Sequence, residues 1–362
     1  MKKLKNVYAQ VCGTRNLYRA AHATLLKGRR FTSEGARFKY QLERNICRIQ
    51  EKLRTFQYKH GKYEQFIIYD PKERVILAAP LKDRIVHHAL NDVVAPWIDG
   101  KYIFDSYACR KGKGTHAAIL RAQRFLNACE YAVHLDVEKY FPSVDHQIVK
   151  EVLRKHIEDE QVLWLFEHII DSPVQRSYAK KTGAFKNQLA LFANEKDNQR
   201  ERGLPIGNLT SQFLANLYMN ELDQFVKHKL KCRYYIRYMD DMVFFHHSKA
   251  GLKKYVDDIR AFCQERLRLQ LHDISGPIYH KRGLTFLGFR IFRHHKRLKS
   301  QNITRFVKRQ KMLEKLFQNG DITKENMLKS RQSWYSHASF GDTTGLRQSL
   351  SQRYPVDVVW QA

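Results

Sequence analysis

Long apolar runs are missing from this sequence. No stretch of about 18 consecutive apolar residues occurs, so no segment reads as a bilayer-spanning helix. The first residues, Met1-Lys2-Lys3-Leu4-Lys5, lack the apolar core of a secretory signal. The expectation from these two absences is a soluble, cytoplasmic chain with no membrane partner. Cysteine pairs are missing as well. The six cysteines, Cys12, Cys47, Cys109, Cys129, Cys232 and Cys263, form no Cys-x-x-Cys, which excludes the usual zinc motifs and suggests reduced thiols. There is no internal repeat and no coiled-coil heptad.

Acidic residues are scarce. Asp plus Glu total 36 against 65 Lys plus Arg, a net charge of +29 over 362 residues. The excess is spread along the whole chain, so a long polyanion is the expected partner, nucleic acid ahead of an acidic membrane surface. A hydrophobic content of 43% provides for a core, and the length suggests two or three lobes. The histidine pairs His87-His88, His246-His247 and His294-His295 are expected to face nucleic acid or solvent rather than a metal.

In chain order, residues 1 to about 60 read as basic helices, with Ser33 as an N-cap. Residues 63–79 read as a hairpin turning at Asp70-Pro71-Lys72-Glu73, where Lys72 and Arg74 can grip a triphosphate. A helix follows from Lys82 and is expected to end near Pro96. The basic loop Tyr107–His116 matches no nucleotide-binding fingerprint. Polar residues dominate from about 172 to 202 and suggest an insert. Gly203-Leu204-Pro205-Ile206-Gly207 then opens a helix capped by Asn208 or Thr210, and Gly207 leaves room for a ligand at the backbone. Gly283–Ile291 reads as a short strand pair. The chain from about 296 reads as helical, with a stripe of Phe306, Leu313, Leu316 and Phe317.

Three acids stand out. Tyr131-Ala132-Val133-His134-Leu135 reads as a strand ending at Asp136, and Asp145 as the cap of the helix after it. Arg237-Tyr238-Met239-Asp240-Asp241-Met242-Val243 reads as a tight hairpin with both carboxylates at its tip. Adjacent carboxylates repel, and a hard cation bound through oxygen offsets that repulsion. The bland alternative is an acidic turn. In-line attack of a 3′-hydroxyl on an α-phosphate needs charge neutralised at the attacking and leaving oxygens. Two metal ions about 3.5–4 Å apart, bridged by carboxylates from neighbouring strands, supply that. Asp136 and Asp240 would bridge two Mg²⁺ ions, and Asp241 would support them.

With these residues the sequence resembles the reverse transcriptases over nearly its whole length. Tyr238-Met239-Asp240-Asp241 is similar to their hairpin, and Leu135-Asp136 with Tyr140-Phe141-Pro142-Ser143-Val144 to their first carboxylate motif. The resemblance implies an α+β fold of right-hand polymerase architecture. Fingers and an N-terminal extension would take residues 1–130. A palm of antiparallel sheet plus helices would take 131–292, with an insert at about 155–202, and a helical thumb 293–362. It implies RNA-directed DNA synthesis from dNTPs on an RNA template, through an RNA/DNA hybrid. Phe141 would be the steric gate against ribose, Lys72 and Arg74 the triphosphate contacts, and Gly283–Phe289 the primer grip.

Within that family, Ile206-Gly207-Asn208-Leu209-Thr210-Ser211-Gln212 is similar to the reverse transcriptases of diversity-generating retroelements. So are Lys113–Ala117, Ser333-Trp334, His337-Ala338 and Asp342-Thr343. That likeness places Ile206, Gly207 and Gln212 among the substrate-binding residues. It implies an error-prone enzyme served by a dedicated non-coding RNA and a small basic helical accessory protein. The polar insert departs from compact members and leaves an antiphage defence reverse transcriptase as an alternative. A non-catalytic RNA-binding scaffold is the alternative of another class. Neither ribonuclease H nor endonuclease motifs are visible.

Overall fold

The computed structural model describes residues 2–69, 73–172, 201–273 and 276–354. Lys72 and residues 173–200 of the expected insert lie outside the described residues. The chain divides into two compact units. One gathers the chain up to Arg110 with Asp136–Cys232 and Asp257–His272, and the other Lys111–Leu135, Arg233–Val256 and the chain from Asp273.

The first unit opens with helices Tyr8–Val11, Thr14–Leu25, Ser33–Tyr40 and Leu42–Arg54. Thr32, not Ser33, caps the third: its hydroxyl accepts from the Gly35 N–H. Strands β1 (Glu64–Ile68) and β2 (Arg74–Ala78) then form the expected hairpin, antiparallel from Glu64↔Ala78 to Ile68↔Arg74. The next helix, Leu81–Asp99, runs through Pro96 instead of ending there. Burial of Val94 and Ile98 on its inner face offsets the hydrogen bond that proline removes. His87 sits in this helix and is 1% exposed, contrary to the expectation that the histidine pairs face outward. Asp145 caps helix His146–His156, as expected, through Gln147 and Ile148 N–H, and Asp159 caps Glu160–Ile170 likewise. Residues 160–170 are therefore a packed helix with Leu165 and Phe166 fully buried. Helix Leu209–Gln224 is buried on nearly every side and continues into a π-turn, Phe225–Lys229.

In the second unit, helix Thr115–Ala128 precedes a four-stranded antiparallel sheet. It comprises β3 (Tyr131–Leu135), β4 (Tyr235–Tyr238), β5 (Asp241–His246) and β6 (Ile278–Tyr279), in the order β4-β5-β3-β6. A separate sheet follows, β7 (Leu284–Phe286), β8 (Phe289–Ile291) and β9 (Lys296–Leu298). Helix had been expected from 296. The alternation at 296–298 instead pairs with β8, and the helix begins at Ser300. In helix Ser300–Gln318 the inward positions are Phe306, Gln310 and Leu313, spaced i, i+4, i+7, which leaves Phe317 41% exposed. Two more helices follow, Lys324–Ala338 and Thr344–Arg353. Leu350 and Tyr354 pack with Phe306.

Candidate active site

Strands β4 and β5 meet in a two-residue turn, with Tyr238 paired to Asp241. Asp240 lies in the turn, whereas Asp241 is the first residue of β5. Met239 takes φ +59°, the left-handed conformation such short hairpins require. Arg237 secures the turn from inside: it is 0% exposed and donates to the Met239 carbonyl at 2.9 Å. Thr115 donates to the Tyr238 hydroxyl at 3.2 Å. The flanks Met242, Val243, Phe244 and Phe245 are buried, so apolar packing fixes the strand that carries Asp241.

β3 runs beside β5 with Leu135 opposite Met242 and His134 opposite Val243. His134 Nε2 lies 2.9 Å from Asp241 Oδ1, a contact the sequence reading missed. Both side chains are about one-third exposed, at 32% and 34%. The Phe286 and His134 rings meet edge to face, with centroids 6.0 Å apart. Asp136 follows Leu135 in the chain. Its carbonyl accepts from His272 N–H at 3.0 Å, and Val137 bridges to Leu271. Its backbone is thus as fixed as a strand residue's.

Of the expected substrate contacts, Arg74 is exposed at the start of β2. Phe141 is half-buried in the short helix Tyr140–Ser143, against the Tyr140 ring. The carbonyl of Ile206 accepts from Leu77 N–H at 2.9 Å. Gly207 takes φ +112°, where a Cβ would stand 2.8 Å from Ile76 Cγ2. Asn208 is the N-cap position of the following helix but does not cap it with its side chain. Its amide instead accepts from Ala79 N–H and donates to the Leu77 carbonyl. The 206–208 segment is therefore stitched to β2, which brings Ile206 and Gly207 beside the strand that begins at Arg74. Gln212, one turn further on, is exposed and accepts from Cys109 Sγ at 3.6 Å. Behind this segment, burial pushes the His87 imidazole well below its usual range, and the His60 ring stacked on it at 5.3 Å adds to the effect.

The described residues bring together one group of metal-capable side chains, and it is not the expected one. His146, Asp171 and Glu201 have ligand atoms within 4.8 Å of one another. His146 Nε2 is 2.8 Å from the Gly203 carbonyl, and Lys150 Nζ is 2.6 Å from Asp171. Lys150 thus already supplies positive charge there, as in an ordinary ion-pair network.

The sequence matches the family described as reverse transcriptase (RNA-dependent DNA polymerase) over residues 60–291, well over half of the chain. The chain belongs to the reverse transcriptase family. Its fold is accordingly the α+β right-hand polymerase fold of that family. The domain is that of an RNA-dependent DNA polymerase, which binds a nucleic-acid template and works with divalent metal ions. Among relatives, it is 24% identical over 286 residues to "Protein YkfC" of Escherichia coli, covering 67% of this chain and 71% of that protein. It is 18% identical to the "Putative COX1/OXI3 intron 2 protein" of Saccharomyces cerevisiae, over 58% of this chain but only 29% of that protein. A truncated apo telomerase from Candida tropicalis superposes with a TM-score of 0.47 at 13% identity, covering 67% of this chain and 55% of that one. No helix among the described residues of this reverse transcriptase is long and apolar enough to cross a membrane.

The positions likened to the retroelement group also have structural partners. His116 stacks on Phe340, Trp334 on Phe306, and Asp342 accepts from Lys296 N–H.

Proposed function

We propose that this protein synthesises DNA on an RNA template, with Asp136, Asp240 and Asp241 as the acids that hold two Mg²⁺ ions. The observation that carries the reading is the register of β3 on β5. Leu135 faces Met242, one acid directly follows the first of these residues, and another directly precedes the second. The donor set fits a hard cation: it is all oxygen, and at Asp241 it is partly open to solvent. Mg²⁺ bound there would neutralise charge on the attacking and leaving oxygens. The chain's own groups do the rest. His134 orients the Asp241 carboxylate. Arg74 binds the triphosphate, a role the sequence likeness extends to Lys72. Phe141 lies against the sugar and disfavours a 2′-hydroxyl.

The lobes we assign are fingers at 1–130, palm at 131–292 and thumb at 293–362. The finer assignment is an error-prone reverse transcriptase of a diversity-generating retroelement, working with a dedicated non-coding RNA and a small basic helical accessory protein. It rests on Ile206, whose side chain can neither donate nor accept a hydrogen bond near the incoming nucleotide. An antiphage role is the competing assignment and predicts short homopolymer or reiterated products instead.

Purified protein supplied with poly(rA)/oligo(dT), dTTP and Mg²⁺ is expected to extend the primer. Asp136→Asn and Asp240→Asn should each abolish extension without lowering the melting temperature. Undiminished synthesis by Asp240→Asn would overturn the assignment. Failure of the native protein with its own co-purifying RNA would favour the scaffold reading.

A further inference from the structure

The sheet β7-β8-β9 has two unlike faces. Leu284, Phe286, Phe289, Ile291 and Leu298 are buried on one. On the other, the register sets Thr285 opposite Arg290 and Arg290 opposite Arg297, a row across all three strands. Both arginines are exposed. Like charges directly opposite each other destabilise a sheet. Arg282 and Lys299 add two more cations beside the row, and these residues share a cavity of about 480 Å³. Among the described residues, none of the four cations has an acidic partner.

The pocket is also built. Arg290 is held in place because its Nε and Nη2 donate to the Arg282 carbonyl at 2.9 and 2.6 Å. The Phe292 ring forms the floor, with the Arg290 and Arg297 guanidinium carbons 5.7 and 5.9 Å from its centroid. Gly283 makes room for that ring: a Cβ there would come within 2.7 Å of it, and φ is +74°. His295 stacks on the same ring at 4.4 Å. The 292–293 turn is anchored from behind, since Gln123 donates to the Phe292 carbonyl and Arg293 to those of Leu126 and Cys129.

The opposite, buried face of the sheet looks towards Asp241, because Phe286 meets His134, which contacts that carboxylate. The cationic face therefore points away from the hairpin where synthesis is proposed.

We infer that this outer face is a second nucleic-acid site, which holds a strand of RNA that is not being copied. Arg282, Arg290, Arg297 and Lys299 take its phosphates, with the Phe292 ring packed against the Arg290 and Arg297 guanidinium groups. Neighbouring strands lie about 5 Å apart, so Arg290 and Arg297 can share one phosphodiester or grip two in succession. A membrane is the weaker occupant: none of the large exposed apolar side chains falls within 276–300, whereas membrane-seated faces carry them. The proposed function enters only in naming RNA as the strand.

The test compares native protein with the triple variant Arg282→Gln/Arg297→Gln/Lys299→Gln, which leaves Arg290 in place. Binding to a long single-stranded RNA is measured across a salt series. Extension of a short pre-annealed RNA/DNA duplex is measured in parallel. The triple variant should bind the long RNA about tenfold more weakly near physiological salt. Its salt slope should be shallower by about 2, roughly 0.7 for each lost phosphate contact. Extension of the short duplex should stay within about twofold of native, a tolerance set by ordinary surface substitutions. A second variant, Thr285→Glu, sets a carboxylate opposite Arg290. It should keep or raise the melting temperature while weakening RNA binding, which a purely structural role for the row would not produce. Unchanged salt slopes in both variants overturn the proposal. So does an equal loss on the short duplex, which would assign the face to the catalytic cleft, and so does a loss seen only when binding to anionic vesicles is measured alongside. RNA binding is read without polymerase activity, so a failure of the functional assignment stays distinguishable.

Discussion

His134 on β3 contacts Asp241 on β5 as a diagonal pair across neighbouring strands, with 2.9 Å between Nε2 and the carboxylate oxygen. The imidazole constrains one carboxylate oxygen, and in the proposed site the other is the one offered to a cation. His134→Phe keeps a ring against Phe286 but removes the polar contact. We expect single-turnover primer extension to slow by about fivefold, the equivalent of about 1 kcal/mol for a hydrogen bond to a partly exposed charged group. The Mg²⁺ concentration for half-maximal rate should rise. If neither changes, His134 serves packing alone.

Fidelity is expected to respond to Ile206. Its main chain is fixed to Leu77 whatever the side chain, so Ile206→Gln should fold normally. A restored polar contact worth about 1 kcal/mol would lower misincorporation a few-fold, most of all opposite template adenines. Sequencing products copied from a defined RNA measures this, and equal error spectra would remove Ile206 from the explanation.

Gly207→Ala meets two penalties, a positive φ and a contact of 2.8 Å with Ile76. Together they should cost about 1–3 kcal/mol. Gly112→Ala has only the first: φ is +73° and nothing lies within 4 Å of the new Cβ. Thermal melts should therefore rank Gly207→Ala clearly below Gly112→Ala. Equal melting temperatures would mean that the β2 contact yields without strain.

Acid should destabilise the first unit early. Burial lowers the imidazoles of His60, His87, His88 and His156. Each binds its proton more weakly folded than unfolded. Their stabilising effect is complete above the unfolded value of about 6.5 and is lost as pH falls from there towards the folded values. Stability in urea should therefore drop between about pH 6.5 and 5, at up to about 1.4 kcal/mol per pH unit for a fully buried imidazole. His87→Leu should flatten that slope. A slope that is unchanged, or reversed, would show that His87 is not held neutral.

The local structure that carries the acids could be read before any coordinates, for a physical reason. The β4–β5 hairpin sets its acids between two runs of buried, mostly apolar residues rather than in the expected alternation, and local chemistry determines a two-residue turn. Asp145 sits where a helix must begin, and it caps one. The misreadings came from tertiary context. Pro96 stays helical because Val94 and Ile98 are buried, and His87 enters the interior although its neighbour and charge suggested a wet face. The contact of His134 with Asp241 spans 107 residues of sequence, and only the register of β3 on β5 creates it. The three-strand arginine row was equally hidden, since Arg290 and Arg297 become neighbours only once β9 is a strand.

The sealed guanidinium of Arg237 has one more implication. Adjacent carboxylates at a hairpin tip repel each other. Here a permanent cation is locked into the same hairpin and tied to the carbonyl next to Asp240, so the loop has a counterweight that never dissociates. The turn is thus braced by a buried cation of the chain's own, whatever the acids at its tip come to hold.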